Sequence, residues 1–324
     1  MPHRESVVVI TGASSGIGRA TALHFAGPGV RLALAARRVE ALEDVADQCR
    51  QRGAPAITVP TDVTDPEAVQ TLADRAVAEF GRIDVWVNNA AVSYFSPLPE
   101  VPLEDVRRVL DVNVMGCVHG ARAALPVMRR QGRGVLINIS SVVAEIPLPY
   151  TSAYSMSKAA VRALGVSLRQ ELRLEGLGDV HVCTVVPASI DTPFCRHAAN
   201  YTGRAARPVA PVSDARAVAR AVVGAARRPR REVVVGALGR SMVLQHKMAP
   251  GPTESLIGQL IPVLHFSGEH TTVSTAGNLY EPCSNPATAR ISGGWAGRRK
   301  TLQRRAAGAG LLIAGTLAAR RWLR

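Results

Sequence analysis

The amino-acid sequence predicts an α/β protein with a single doubly wound parallel sheet, helices on both faces of that sheet, and a C-terminal extension. Two observations support this fold class. Short apolar runs rich in valine and isoleucine alternate with longer amphipathic stretches from residue 6 to about residue 236. The apolar runs are nearly continuous and do not alternate in polarity, as expected for parallel strands that are covered on both faces.

Each element has a recognisable pattern along the chain. The strands are predicted at residues 6–11, 31–36, 57–63, 83–91, 135–141, 180–186 and 232–236. The helices are predicted at residues 16–26, 39–52, 66–80, 103–130, 152–175 and 215–226. Pro66 in a first turn and Gly81 after a last turn mark the ends of the third helix. The long fourth helix is expected to be interrupted near Pro126.

Two segments of the chain lack this alternation. Residues 191–212 carry small and polar residues with three prolines, and we expect a loop or lid over the carboxyl edge of the sheet. From residue 237 glycine, proline, serine and threonine become frequent, so residues 237–297 are predicted to be an irregular C-terminal appendage. Within this appendage, residues 238–248 and 255–264 can form short helices. The predicted catalytic domain is therefore residues 1–236.

The last 27 residues form a basic and apolar tail, residues 298–324. Its apolar part, residues 306–319, would span about 21 Å as a helix, which is short of the roughly 30 Å core of a bilayer. Three interpretations stay open: peripheral membrane contact through basic flanks and anionic lipids, a spanning anchor, and a solvated or packed tail.

The composition of the chain limits the classes of protein to which it can belong. Of 324 residues 47% are hydrophobic and the mean hydropathy is +0.09, which indicates a globular protein. Eight Lys or Arg of the tail make up over half of the net charge of +14, and aromatic residues, at 4%, do not interleave with them, so nucleic-acid binding is not expected. Five scattered cysteines without a C-x-x-C spacing and the lack of a signal peptide predict a cytoplasmic protein.

A glycine-rich turn joins the first strand to the first helix. Residues 11–18 read Thr-Gly-Ala-Ser-Ser-Gly-Ile-Gly. The backbone amides at a helix N-terminus attract anions, and glycines let the backbone approach a phosphate closely. The turn is therefore predicted to bind the pyrophosphate of a dinucleotide.

The residues after the second and third strands help to determine whether NAD(H) or NADP(H) binds. An acid at the end of the second strand would hold ribose hydroxyls, whereas the chain has Ala36, Arg37 and Arg38 there. Arginines can hold a 2′-phosphate, so NADP(H) is favoured over NAD(H), although Arg38 can also be a solvated helix start. Asp62 and Val63 can meet the adenine ring, or Asp62 can cap the next turn.

Tyr154 and Lys158 lie four residues apart on a predicted helix, so they project from the same face. A tyrosine hydroxyl has an ordinary pKa of about 10, and a nearby ammonium group favours the phenolate. Tyr154 is therefore predicted to be a general acid or base. By itself such a pair is equally consistent with a solvated helix face.

Read together, these residues resemble the short-chain dehydrogenase/reductase family, over about residues 6–236. The resemblance also includes Asn88-Asn89-Ala90 after the fourth strand, Asn113 in the long helix, Ser141, and the segment from Pro187 to Thr192. The family has a Rossmann fold and interconverts alcohols and carbonyls by hydride transfer, and it commonly forms dimers or tetramers through the helix that bears the tyrosine and its neighbour. We therefore expect an NADP(H)-dependent oxidoreductase that is a homo-oligomer.

The resemblance implies roles for individual residues. The catalytic residues would be Asn113, Ser141, Tyr154 and Lys158, with Ser141 preferred to Ser140 because it lies thirteen residues before Tyr154. Ser141 would bind the substrate oxygen, Lys158 would lower the pKa of Tyr154 and bind the nicotinamide ribose, and Asn113 would hold a water. The cofactor-binding residues would be Gly12, Ser14, Ser15, Gly16, Ile17, Gly18, Arg37, Arg38, Asp62, Val63, Asn89, Ala90, Tyr154, Lys158, Pro187 and Thr192.

Two positions depart from the family, which commonly has glycine where this chain has Ala91 and Ala188. We expect both methyl groups to be tolerated, with a slight shift of the nicotinamide loop at Ala188.

Substrate selection is expected to depend on side chains that are mostly apolar, which suggests an apolar or bulky substrate. They are Val92, Tyr94, Phe95, Val143, Ala144, Ile146 and the lid at residues 189–212. Two alternative functions are a nucleotide-sensing scaffold without activity and a membrane-associated reductase of lipid-type substrates. The spacing of His265, Glu269 and His270 does not suit one helix face, so no metal site is predicted.

Overall fold

The fold is known from a computed structural model that describes residues 6–236, 239–283, 285 and 288–295. The predicted basic and apolar tail, residues 298–324, lies outside the described residues, and its three interpretations therefore stay predictions.

All seven predicted strands are present, and within the residues that the structure describes six short strands that were not predicted lie outside the main sheet. In chain order, the strands are β1 (Ser6–Thr11), β2 (Val30–Ala36), β3 (Ala56–Pro60), β4 (Val85–Asn88), β5 (Tyr94–Phe95), β6 (Gly134–Ile139), β7 (Val180–Pro187), β8 (Ile190–Asp191), β9 (Ala199–Asn200), β10 (Arg204–Ala206), β11 (Ser213–Asp214), β12 (Glu232–Val235) and β13 (Phe266–Thr271).

The helices lie between these strands and after the last strand of the main sheet. They are α1 (Gly16–Phe25), α2 (Val39–Arg50), α3 (Pro66–Phe80), α4 (Leu103–Leu110), α5 (Gly116–Gln131), α6 (Ser152–Leu174), α7 (Phe194–His197), α8 (Ala215–Arg227), α9 (Gly239–Met248) and α10 (Pro250–Leu264).

Seven strands form one parallel sheet in the order β3-β2-β1-β4-β6-β7-β12. The central strand β1 is fully buried, and its Val9 pairs with Ala33 on one side and Trp86 on the other. Two apolar clusters cover the two faces of the sheet. The predicted doubly wound Rossmann fold is confirmed, and the strand order reverses between β1 and β4, where such sheets bind ligands.

Local sequence signals explain where α3 begins and ends. Asp65 caps its N-terminus, because the Asp65 carboxylate accepts hydrogen bonds from the amides of Glu67, at 2.9 Å, and Ala68, at 3.3 Å. Pro66 occupies the first turn, and Gly81 ends the helix in the left-handed conformation.

The prediction of an interruption near Pro126 is wrong. Pro126 lies inside α5, where the buried neighbours Leu125 and Met128 hold the helix against the core despite the lost backbone hydrogen bond. The interruption lies further upstream, at the π-helical turn Asp111–Met115 between α4 and α5.

Two predicted strands are shorter than expected. β3 ends at Pro60 and β4 ends at Asn88, whereas the predicted strands continue to residues 63 and 91. The extra residues form loops at the carboxyl edge of the sheet. These loops line the cavity described below.

The C-terminal appendage is more regular than predicted. The two predicted short helices are present as α9 and α10, and β13 pairs antiparallel with β10. Ile257 and Ile261 of α10 pack against Ile146, and this apolar contact explains why the segment is ordered. Within the described ranges, no helix has both the length and the apolar character that crossing a bilayer requires.

Candidate active site

A cavity of about 430 Å³ opens at the carboxyl edge of the sheet, above the point where the strand order reverses. It brings together most of the predicted site residues, which follow β1, β2, β3, β4, β6 and β7 or, for Tyr154 and Lys158, lie on α6. Those that line it are Gly12, Ser14, Ser15, Gly16, Ile17, Arg37, Arg38, Asp62, Val63, Asn89, Ala90, Ser141, Tyr154, Lys158, Pro187 and Thr192. Gly18 and Asn113 do not line it.

The glycine-rich turn has the geometry of a phosphate cradle. Gly12 and Gly16 have positive φ angles of 64° and 54°, which favour glycine. A Cβ atom on Gly18 would lie 2.2 Å from the Gly12 carbonyl oxygen, so Gly18 serves the close packing of α1 against the turn. The Asn89 side-chain amide donates to the carbonyl oxygens of Thr11, at 2.9 Å, and Gly12, at 3.1 Å. The turn is thus fixed in a shape that leaves room for a pyrophosphate.

Asp62 is held at the same edge by three hydrogen bonds. Its carboxylate accepts from the amide and hydroxyl of Thr64, at 3.0 and 2.9 Å, and from the Arg108 guanidinium, at 2.7 Å. Burial alone would raise the pKa of Asp62, but these bonds and the Arg108 charge outweigh burial and lower the pKa. Asp62 therefore lines the cavity as a fixed carboxylate.

Arg37 and Arg38 contact the C-terminal part of the chain, which the sequence did not predict. We call residues 277–283 and 288–295 the strap. Arg37 donates to the carbonyl oxygens of Asn278, at 2.7 Å, and Tyr280, at 2.6 Å. Arg38 donates through Nη1 to the Cys283 carbonyl oxygen and the Thr288 hydroxyl, each at 3.1 Å. The predicted phosphate-binding arginines are therefore also the anchors of the strap.

Tyr154, Lys158 and Ser141 meet at the inner end of the cavity. The Ser141 hydroxyl lies close enough to the Tyr154 phenol to affect its pKa, and the Lys158 ammonium lies 5.4 Å from the centre of the Tyr154 ring. The Lys158 Nζ also donates to the Ile139 carbonyl oxygen at 2.9 Å. The neighbouring Ser140 instead donates to the Lys158 carbonyl oxygen at 2.8 Å. Of the two serines, Ser141 is thus the one that contacts the phenol.

The pKa of Tyr154 is raised in this structure, whereas the sequence predicted that Lys158 would lower it. Withdrawal from water raises the pKa of Tyr154, the nearby Ser141 hydroxyl opposes this rise, and Cys195 adds to it. Burial also lowers the pKa of Lys158 to about 8. The lysine is therefore only partly charged in mildly alkaline solution, which weakens its effect on the phenol.

Asn113 lies in the π-helical turn, fully buried, behind the cavity wall. Its side-chain oxygen accepts from the Val92 amide at 2.8 Å, and its side-chain nitrogen donates to the Val92 carbonyl oxygen and the Ser157 hydroxyl, both at 2.9 Å. Ser157 in turn donates to the Tyr154 carbonyl oxygen at 2.7 Å. Asn113 is thus linked to Tyr154 through Ser157.

The outer half of the cavity is apolar and is closed by α9 and α10. Of the predicted selectivity residues, Val92, Phe95, Val143 and Ile146 line the cavity, whereas Tyr94 and Ala144 do not. The sequence did not predict that the two appended helices line the cavity, and their lining residues include Met242, Gln245, Thr253, Leu256, Ile257, Leu260, Ile261 and Leu264. The helical spacing of the last five gave a usable signal.

The two alanines that depart from the family pattern both line the cavity. The Ala188 methyl group is accommodated by two glycines. A Cβ atom on Gly236 would lie 2.8 Å from that methyl group, and one on Gly239 would lie 3.3 Å from it. The absence of side chains at these positions provides space for the methyl group.

No metal centre is apparent in the described part of the chain, where no three or more His, Cys, Asp or Glu side chains are grouped as ligands. The predicted loop residue His265 donates a hydrogen bond through Nδ1 to the Arg207 carbonyl oxygen, and its ring packs edge-on against Phe95.

Comparisons with known proteins agree with this geometry. The sequence model of the short chain dehydrogenases matches residues 6–201. The uncharacterized oxidoreductase YxnA of Bacillus subtilis is 37% identical over 262 residues, which are 80% of this chain and 73% of that protein. The 11-beta-hydroxysteroid dehydrogenase 1A of Arabidopsis thaliana is 42% identical over 190 residues, 57% of this chain and 52% of that protein. The chain thus spans about half the length of this plant relative.

Solved structures with the same fold contain nicotinamide cofactors. A short chain dehydrogenase/reductase from Burkholderia phymatum in complex with NAD has a TM-score of 0.69 and 30% identity, over 78% of this chain and 96% of that chain. An alcohol dehydrogenase from Thermococcus sibiricus complexed with 5-hydroxy-NADP has a TM-score of 0.62 and 30% identity, over 71% of this chain and 96% of that chain.

Proposed function

This chain belongs to the short-chain dehydrogenase family of oxidoreductases, and we propose that it interconverts an alcohol and a carbonyl with NADP(H) as cofactor. The observation that supports this most is that Tyr154 and Ser141 line the same cavity as the glycine-rich turn. A dinucleotide cradled at the turn and a substrate oxygen at Tyr154 would then occupy one continuous space.

The cofactor would be held by the turn at residues 12–17, by Asp62 and Val63, by Asn89 and Ala90, and by the loop from Pro187 to Thr192. When bound, it supplies or accepts the hydride. NADP(H) is favoured because Arg37 and Arg38 line the cavity and no acid follows β2.

The chain's own residues would move and stabilise the proton. The Tyr154 hydroxyl gives its proton to the carbonyl oxygen during reduction and takes it back during oxidation. The Ser141 hydroxyl donates to the same substrate oxygen, where negative charge develops. Lys158 Nζ, fixed by the Ile139 carbonyl, places a positive charge near the phenol and the nicotinamide ribose. Asn113, which does not reach the cavity, fixes the position of Tyr154 through Ser157.

The substrate would be bulky and apolar. The outer half of the cavity is lined mainly by aliphatic side chains, among them Ile146, Ile257, Leu260 and Ile261, which favour an apolar ligand body. A panel of a steroid ketone, a long-chain 2-alkanone and dihydroxyacetone tests this substrate class. We expect the first two to have the higher kcat/KM, and a preference for dihydroxyacetone would contradict it.

Replacing Tyr154 with phenylalanine tests the mechanism. Tyr154→Phe keeps the ring that packs 5.2 Å from Phe194 but removes the transferable proton. We expect NADPH binding to persist and turnover of the carbonyl panel to fall by about 10²–10⁴-fold, the usual range for a lost acid or base. Tyr94→Phe, which removes a hydroxyl that contacts Ser152 outside the cavity, is the matched control. Unchanged turnover in Tyr154→Phe would exclude the mechanism.

A further inference from the structure

The strap crosses the end of the cavity where the adenosine half of a dinucleotide would bind. Asn278, Pro282 and Cys283 of the strap line the same cavity as Gly12 and Asp62. The strap therefore forms a wall of this space, although it follows the predicted catalytic domain in the sequence.

Backbone carbonyl groups provide most of the contacts that hold the strap over the cavity. Besides the bonds to Arg37 and Arg38, the Arg290 carbonyl oxygen accepts from the Gly16 amide at 2.9 Å, and the Ala289 carbonyl oxygen accepts from Arg19 at 2.6 Å. The Leu279 carbonyl oxygen accepts from Arg108, which also binds Asp62. Elements expected to touch the cofactor are thus linked to the strap.

Each end of the strap is also fastened beside the cavity. At one end the Asp191 carboxylate accepts from the amides of Gly293, at 2.9 Å, and Trp295, at 3.0 Å. At the other end Tyr280 donates to the buried Asp105 at 2.8 Å. Such a fastened wall has to be released before a large ligand can pass it.

Two buried polar atoms at this wall point to a ligand. Within the described ranges, Asn278 Oδ1 and His197 Nε2 have no hydrogen-bond partner, although both residues line the cavity. Buried polar atoms without partners are rare in folded proteins and call for an explanation. Burial and the charges of Arg38 and Arg196 lower the pKa of His197 to about 4, so its ring is neutral near pH 7 and can accept as well as donate.

We propose that the strap is part of the cofactor site: Asn278 binds the adenosine half of the nicotinamide dinucleotide, and the strap opens to let the cofactor in and out. This proposal rests on the proposed function, because it takes the ligand to be that cofactor. The hydroxyl and amino groups of adenosine can donate hydrogen bonds to Asn278 Oδ1, which lacks a partner among the described residues.

Two glycines of the strap are packed so closely against the backbone that replacing either one with alanine should displace the strap. A Cβ atom on Gly293 would lie 2.3 Å from the Thr192 carbonyl oxygen, and one on Gly277 would lie 2.3 Å from the His197 carbonyl oxygen. Gly293→Ala and Gly277→Ala therefore push the two ends of the strap off the cavity rim. Gly268→Ala is the matched control, because its Cβ would meet nothing within 4 Å.

The experiment measures the dissociation rates of NADPH and NADH from the full chain by stopped-flow fluorescence, with excess oxidised cofactor as the trap. We expect dissociation to accelerate at least about tenfold for both cofactors in Gly293→Ala and Gly277→Ala, since lost contacts act mainly on off-rates, and to stay unchanged in Gly268→Ala. Asn278→Ala is expected to weaken both cofactors by a similar factor of about five to ten, as for one lost hydrogen bond.

Hydrogen exchange of the unmodified chain gives an independent readout that needs no variant. Saturating NADPH is expected to slow exchange of the strap amides, beginning with Asn278, whose amide donates to His197 at 2.8 Å. Unchanged dissociation rates in both glycine variants, or unchanged exchange of the strap amides, would overturn the proposal. If the unmodified chain binds neither NADPH nor NADH, the proposed function itself fails and the strap proposal falls with it.

Discussion

The Arg37 guanidinium donates a 2.6 Å hydrogen bond to the carbonyl oxygen of Tyr280, a residue 243 positions further along the chain. The side chain that we expect at the 2′-phosphate of the cofactor therefore also holds the C-terminal strap. Cofactor preference and strap position consequently depend on a shared group of arginines.

Arg38 offers the clearest test of cofactor preference. Among the described residues its bonds to the strap use Nη1 only, so Nε and Nη2 remain able to donate to a phosphate. We expect Arg38→Ala to raise the NADPH dissociation constant about 10–100-fold more than the NADH dissociation constant, as for a lost charged hydrogen bond, because the lost anchor of the strap weakens both cofactors alike.

Fluorescence titration with both cofactors measures this difference. Arg130→Ala, which removes a charge from an exposed residue outside the cavity, is the control and should leave both affinities unchanged. An equal loss of affinity for NADPH and NADH in Arg38→Ala would show that Arg38 does not bind the 2′-phosphate.

The two adjacent serines are expected to differ in function. Ser141→Ala removes the hydroxyl that contacts Tyr154 and is expected to lower kcat/KM by about 10²-fold, as for a lost donor at a developing oxyanion. Ser140→Ala removes a buried bond to the Lys158 carbonyl oxygen and is expected to cost about 1 kcal/mol of stability with most activity retained. Steady-state kinetics and urea unfolding of both variants check this, and the reverse order of activities would assign the role to Ser140.

The lowered pKa of Lys158 predicts how the stability of the fold changes with pH. Its pKa is about 8 in the folded protein and 10.5 ordinarily, so between these values the unfolded chain binds the proton and the folded chain does not. The free energy of unfolding is therefore highest, as far as Lys158 is concerned, above pH 10.5, and it decreases as the pH falls towards 8. The shift of 10.5 minus 8 corresponds to about 3 kcal/mol.

Urea unfolding of the wild type and Lys158→Met at pH 7.5 and pH 10 measures this effect, because other titrating groups cancel in the difference. We expect the wild type to gain stability relative to Lys158→Met as the pH rises. A difference that does not change with pH would mean that the ammonium group is not disfavoured by burial.

Gly236 is expected to tolerate no side chain. Its φ angle is 119°, and a Cβ atom would lie 2.8 Å from the Ala188 methyl group. We expect Gly236→Ala to destabilise the fold by about 1–3 kcal/mol through backbone strain and overpacking. Gly224→Ala in α8, where a Cβ meets nothing within 4 Å, should be neutral or stabilising. Adding Ala188→Gly to Gly236→Ala should recover the steric part of the loss, and an additive double variant would contradict the contact.

The elements that the sequence predicted well are those with a local cause. The strand Ser6–Thr11 is predicted to the residue, because its β-branched run ends at a glycine that only a turn accommodates. Pro66, Asp65 and Gly81 likewise determine α3 through contacts within a few residues. Tyr154, Ser141 and the glycine-rich turn, which the sequence singled out as site residues, line one cavity in the structure.

What the sequence could not predict depends on contacts across the fold. The π-helical turn at Asp111–Met115 has no local breaker, whereas Pro126, which does look like one, is kept helical by buried neighbours. The contacts of Arg37 with the strap join residues more than 240 positions apart, and no periodicity reports them. The raised pKa of Tyr154 likewise reflects burial that only the assembled cavity wall provides.

The side chain of Asn113 pairs with both backbone groups of Val92, as an adjacent strand would, and so imitates a peptide unit in the core. Asn113→Asp has nearly the same shape, yet it would present an oxygen where the Val92 carbonyl oxygen needs a donor. The position is thus defined by the polarity of one atom and not by volume. A carboxylate there would exchange an attraction for a repulsion, so the two hydrogen bonds of one amide keep Val92 in place at the cavity wall.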